Sequence, residues 1–182
     1  MLKIIDDTHP SLREKSVAVS LPINEENRAL LLEMLEHLAM SQDEVLSEKY
    51  HLRSGVGLAA PQVGVNKRLI AVYYPKDEEK KQYVKYGLVN PRIVANSVRE
   101  CYLSNGEGCL SVPLDHPGHV YRSFKITVEA FDIVTNKDIV IVARGYDAVV
   151  LQHEIDHLDG ILYYDRIDAR KGQLDDPKAL AI

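Results

Sequence analysis

No run of apolar residues in this chain approaches the length of a membrane span, basic residues are outnumbered by acidic ones, and cysteine occurs only at positions 101 and 109. With hydrophobic residues at 46% and charged ones at 27%, the first absence describes a soluble globular chain, neither membrane-spanning nor disordered. The second, 22 Lys and Arg against 27 Asp and Glu for a formal charge of −5, argues against broad electrostatic binding to nucleic acid or anionic lipid. The third excludes a disulfide framework, although one isolated bridge stays open, and in a cytoplasmic chain it directs attention to catalysis or metal binding. The start, Met1-Leu2-Lys3-Ile4-Ile5-Asp6-Asp7, lacks a secretory or transit pattern, which makes the cytoplasm the default location. At 182 residues and 20.5 kDa, without an internal repeat, one domain spanning 1–182 is expected.

From Asn24 to about Tyr50, Leu31, Met34, Leu35 and Leu38 recur at three- and four-residue steps, with Asn24 as a candidate N-cap and Glu25 and Glu26 favourable in the first turn. The pattern predicts a long amphipathic helix with a break near Ser41. Residues 55–64 carry three glycines and a proline, so a shaped loop is expected there. Strand-like runs follow at 68–74, 88–95 and 98–103, and runs at 125–134 and 139–144 flank a turn to form a hairpin. The charge run from Lys76 to Lys81 reads as a solvated loop. A helix is predicted over 147–158, with Gly160 as its stop. Strands that precede a buried helix indicate an α+β fold.

Inside that last helix the chain reads His153-Glu154-Ile155-Asp156-His157, the H-E-x-x-H pattern. Positions i and i+4 lie one turn apart on one helix face, where two imidazoles can meet one metal ion. Glu154 is placed to take a proton from the water that such an ion activates. The bland alternative is a helix with two satisfied polar histidines. It is weakened by Val149, Val150, Leu151, Ile155 and Leu158, among which unpartnered polar groups would be costly to bury. A catalytic metal commonly has three protein ligands, and no histidine follows His157. A candidate third ligand lies upstream in Glu107-Gly108-Cys109-Leu110-Ser111, where the adjoining glycine would let a thiolate approach a metal. For Cys109 alone, a small buried core residue is the competing reading. Nothing around Cys101 suggests chemistry.

Three separated segments, Gly55–Gln62 (G-x-G-L-A-A-x-Q), Glu107–Ser111 (E-G-C-L-S) and Gln152–His157 (Q-H-E-x-D-H), together resemble in order the three signature motifs of the peptide deformylase family. The likeness covers most of the chain, including Leu88-Val89-Asn90-Pro91 and Asp159-Gly160, and is closest to the longer-loop bacterial type. It implies Cys109, His153 and His157 as metal ligands, Glu154 as the acid/base, and Gln62 with the backbone N–H of Leu110 as oxyanion donors. Ferrous iron is implied as the ion, with zinc, nickel or cobalt able to use the same ligands. By general ligand preference, two imidazoles and a thiolate would suit zinc. The expected fold is α+β, antiparallel β-sheets packed around a central metal-binding H-E-x-x-H helix, with a long N-terminal amphipathic helix.

The implied reaction is removal of the formyl group from N-formylmethionyl nascent peptides, with release of formate. The loop around Val56 and Gly57, with Gly108, would then offer backbone groups to an extended peptide as an added strand would. Val149 and Val150 would line an apolar pocket for the methionine side chain, against the alternative of plain core packing. Little room beyond the formyl group would reject N-acetyl peptides. His9, His37, His51, His116 and His119 lack ligand spacing with the motif helix; His116 and His119 are candidates for the cleft mouth. Asp156 and Asp159 either orient the ligand imidazoles or face solvent. An endopeptidase with another third ligand and a structural-metal binding module are the remaining alternatives. A monomer is expected, without nucleic-acid or membrane binding; transient ribosome contact suits an enzyme of nascent chains, though the acidic charge gives it no support. Over 168–182 the polar composition predicts an extended tail in place of a long helix.

Overall fold

The computed structural model describes residues 2–77, 79, 82–167 and 178–182. Helix α1, Glu25–Gln42, begins where the Asn24 side chain accepts a hydrogen bond from the Asn27 amide at 3.0 Å, with Glu25 and Glu26 at the positive end of the helix dipole. It ends at Asp43, whose side chain accepts from the Leu46 amide at 2.9 Å and so starts a separate short helix α2, Glu44–Tyr50. The break expected near Ser41 falls at Asp43, which can cap the second helix only by adopting extended dihedrals that stop the first.

A five-stranded antiparallel sheet follows, built from β1 (Gly57–Ala59), β2 (Leu69–Asp77), β3 (Gln82–Asn96), β6 (Lys125–Asp132) and β7 (Lys137–Arg144) in that spatial order. The β6–β7 hairpin is tied at its turn end by buried Asp132. One of its carboxylate oxygens accepts from both the amide and the hydroxyl of Thr135, the other from the Gly87 amide. A smaller sheet joins β5 (Arg122–Ser123), β4 (Glu100–Tyr102) and β8 (Leu180–Ala181). There the expectation of antiparallel sheets needs correction, since β8 runs parallel to β4 with Cys101 opposite Leu180. A strand arriving from the chain's end is free of the hairpin constraint that forces antiparallel pairing.

The run expected over 98–103 contracts to β4. Ser97 donates its hydroxyl to the Arg99 carbonyl at 2.8 Å in a local turn, and Val98 is 99% exposed. Strand β2 continues through Lys76 and Asp77, so the charge run starts within a strand. Glu79 is an exposed turn residue, while Glu78, Lys80 and Lys81 lie outside the described residues. The tail expectation over 168–177 also falls outside them; beyond it, the Ile182 amide donates to the Tyr102 carbonyl at 3.0 Å.

Alternation along β2 divides the core. Ile70, Val72 and Tyr74 face helix α3 (Tyr146–Leu158), packing with Val150, Leu151, Ile155 and Leu158. Leu69, Ala71 and Tyr73 face α1, whose Leu31, Met34, Leu35 and Leu38 fill the opposite layer. A period of two in the strand against about 3.6 in the helices places the main sheet between them, each fully buried leucine contributing roughly 2 kcal/mol. Helix α3 starts at Gly145, held at φ 54°, and the chain leaves it at Gly160, φ +74°, where a Cβ would stand 2.6 Å from the Arg13 carbonyl oxygen. A 3-10 turn, Tyr163–Arg166, follows.

Candidate metal centre

Helix α3 sets His153 and His157 one turn apart, with ring centroids 5.0 Å from each other. The loop between β4 and β5 brings in Cys109, and ligand atoms of Cys109, His153 and His157 all lie within 4.8 Å of one another. The Cys109 Sγ is 3.3 Å from His157 Nε2. His153 donates its Nδ1–H to Glu107 Oε2 at 2.8 Å, which leaves Nε2 as the ring's free ligand atom. Gln152 pins the helix to β5, donating to the Ser123 carbonyl at 2.9 Å and accepting from its amide at 3.1 Å. The loop is braced from the other side by Arg53, whose guanidinium lies 3.4 Å from the carbonyl oxygens of Leu110 and Val112. Cys101 is buried within the small sheet and takes no part in the cluster.

Behind the ligands runs a chain of charges. Arg122 grips Glu107 with two bonds of 2.5 and 2.8 Å and donates a third to Asp156 at 2.8 Å. Burial opposes ionisation of Glu107, but the bonds from Arg122 and His153 overcome it and hold the carboxyl down to about 2. Burial alone would depress the His153 imidazole; the side chains of Cys109 and Glu107 on its two edges raise it to about 10. Burial, aided by the charge at His153, keeps His157 well below the usual histidine range. Burial lifts Glu154 to about 7 against the pull of His153.

These residues fit a divalent cation. Two imidazole nitrogens and one sulfur converge, and three protein ligands would leave a position open on such an ion. Glu154, 4% exposed, has an Oε2 with no hydrogen-bond partner among the described residues. Gly57 makes room for it: a Cβ at that position would stand 2.2 Å from Glu154 Oε1.

A cleft of about 250 Å³ opens over the cluster. Val56, Gly57, Gln62, Gly108, Leu110, Val149, Val150 and Glu154 all line it, together with Cys109 and His153. Gln62 is buried and rigidly held. Its Oε1 accepts from the Ala59 amide at 2.8 Å, and its Nε2 lies 3.4 Å from Cys109 Sγ and 3.2 Å from Ser111 Oγ. Val150 also belongs to the core beneath the cleft, so lining and packing coincide there. His116 and His119 line a neighbouring cavity that shares Glu107 and Gly108 with the cleft. Asp156 and Asp159 touch neither ligand: Asp156 binds Arg122 and Arg166, and Asp159 accepts from Arg68 at 2.9 Å.

Glu107 stands inside the second motif with its task unmarked in the sequence, and Arg122 lies outside all three motifs. A glutamate two residues before a candidate thiolate ligand was the available signal for the first. Nothing local marks the second, which is 15 residues from one partner and 34 from the other.

Residues 1–173 match the family model described as polypeptide deformylase. The chain is 52% identical over 171 residues to a peptide deformylase of Staphylococcus epidermidis, covering 94% of this chain and 92% of the relative. Among solved structures it resembles a probable peptide deformylase from a Synechococcus phage, S-SSM7, at 36% identity and TM-score 0.74, covering 92% of this chain and all of the other. The peptide deformylase of Thermus thermophilus is similar at 33% identity and TM-score 0.70, covering 92% and 86%.

Proposed function

The chain belongs to the polypeptide deformylase family, metal-dependent enzymes that remove the N-formyl group from nascent peptides, and on that premise we propose how its own residues carry the reaction. Cys109, His153 and His157 hold one divalent ion, and residues 1–182 act as a single catalytic domain. The observation that carries this reading is the convergence of those three ligand atoms within 4.8 Å beside the buried, half-unpartnered Glu154 carboxylate. When bound, the ion supplies Lewis acidity, lowering the pKa of water and polarising the formyl oxygen. By resemblance the ion is ferrous iron, with zinc, nickel or cobalt as substitutes.

Glu154 takes the proton that water loses and returns it at the departing amine nitrogen, work for which its free Oε2 and its place in the cleft wall suit it. Gln62 and the backbone N–H of Leu110 donate to the oxyanion. The tether from Ala59 to Gln62 Oε1 fixes the amide plane in advance, so little reorganisation is needed as charge develops. The substrate lies extended along Val56 and Gly57, with Gly108 also in reach. The position of β1 at the end of the five-strand order supports this, because among the described residues no strand pairs with its outer edge. Val149 and Val150 receive the methionine side chain.

No helix of the described residues is long and apolar enough to cross a membrane. A monomer working in the cytoplasm, with transient ribosome contact, completes the proposal. Family membership favours it over an endopeptidase or a structural-metal module.

Formate release from an N-formylmethionyl tripeptide, with protein purified without oxygen and assayed for metal, tests the reading. Glu154→Gln should keep its metal and lose about 10²–10⁴-fold in turnover. Cys109→Ala should lose the metal. Absence of release from folded, metal-loaded protein would overturn the assignment, and equal cleavage of an N-acetyl peptide would overturn the size selectivity.

A further inference from the structure

The 3-10 turn Tyr163–Arg166 lies outside the cleft, yet both of its ends reach toward His153. Arg166 binds the Asp156 carboxylate with a two-pronged contact, Nε to Oδ2 and Nη2 to Oδ1, each at 2.5 Å. Asp156 accepts from Arg122, whose Nε and Nη2 are thereby left to grip Glu107, and Glu107 accepts the His153 Nδ1–H. Arg122 and Glu107 side chains are 2% and 3% exposed, whereas Arg166 is 42% exposed. The chain therefore runs from the surface to a ligand. Arg166 brings a second guanidinium to the two carboxylates of this chain. Without it, Asp156 and Glu107 would compete for one buried guanidinium. At the other end of the turn, the buried Tyr163 ring stacks against His153 at 6.2 Å and 20°. The turn itself is anchored: Asp165 accepts from the Leu162 amide and pairs with Arg13, and Arg13 donates to Tyr164 at 2.8 Å.

We infer that this turn holds the His153 imidazole in its metal-binding orientation, with Arg166 and Tyr163 as positioning residues that touch neither substrate nor ion. The inference rests on the reading of Cys109, His153 and His157 as ligands.

Cobalt(II) affinity, measured by chelator competition alongside the thiolate-to-cobalt absorption band, tests it. Arg166→Gln should bind cobalt about 10–100-fold more weakly and shift the band. Arg166→Lys, a point charge without the fork, should recover only part of the loss. With Glu107→Gln already present, Arg166→Gln should cost no further affinity, because the connection is already cut. Affinity equal to the parent's in Arg166→Gln, or an equal loss in the Glu107→Gln background, would overturn the inference. Should Arg166→Gln not fold, unchanged affinity in Arg166→Lys would do the same. A folded parent protein that fails to bind cobalt would instead overturn the ligand reading.

Discussion

At Gly57 a single hydrogen stands where any other residue would put a carbon 2.2 Å from Glu154 Oε1. Gly57→Ala should therefore displace the carboxylate and reduce formate release about 10²-fold, the cost typical of a misplacement near 1 Å. Circular dichroism and thermal melting should show the fold retained; unchanged turnover would mean the glycine serves only the backbone. The two histidines of α3 and the glutamate between them were legible because an i, i+4 relation is local to the chain. Cys109 was legible as a candidate from its flanking glycine, but nothing in composition separates it from Cys101. Tertiary placement separates them: one sulfur lies 3.3 Å from an imidazole, the other inside a small sheet. The support behind His153 was illegible for the converse reason, since Glu107 is 46 residues from the ring it orients.

Single polar contacts at the ends of elements can be tested one at a time. Asn24 caps α1 through its bond to the Asn27 amide, and Asn24→Ala should cost about 1 kcal/mol in urea unfolding without changing turnover. Tyr74 on β2 donates to Asp147 Oδ1 at 2.5 Å in the first turn of α3, linking the sheet to the helix that bears the ligands. Burial, then the bond to Asp147, raises its pKa well above the ordinary value of 10.0. The folded state therefore favours the neutral phenol. Its contribution is full below pH 10 and declines as the pH rises above it, because only the unfolded chain ionises readily there. Tyr74→Phe should lose about 1.5 kcal/mol at neutral pH and show a shallower alkaline decline. Urea midpoints between pH 7 and 11 check this, and an equally steep decline in the variant would refute the assignment. Helix positions and a break near Ser41 were readable from the chain, but the residue that makes the break was not, because it depends on Asp43 turning its carboxylate toward the next helix.

On the scale of the molecule, metal and fold are linked. An ion that binds the native ligand cluster and not the unfolded chain should stabilise the protein by about 2.7 kcal/mol at a hundred times its dissociation constant. Chelation should lower the melting temperature of the parent and leave a His153→Ala variant unmoved. The chain's composition and the periodicity of its apolar residues by themselves determined the α+β class, the hairpin and the helix bearing two histidines and a glutamate. Each of those rests on residues a few positions apart. Only the tertiary structure decided the parallel pairing of β8 with β4, the two-sided burial of β2, and the charge relay from Arg166 through Asp156, Arg122 and Glu107 to His153. The physical reason is that a charged side chain carries no local mark of its partner. Which carboxylate a buried arginine grips is settled when folding removes water and leaves each charge to find the opposite charge that the backbone has brought within reach.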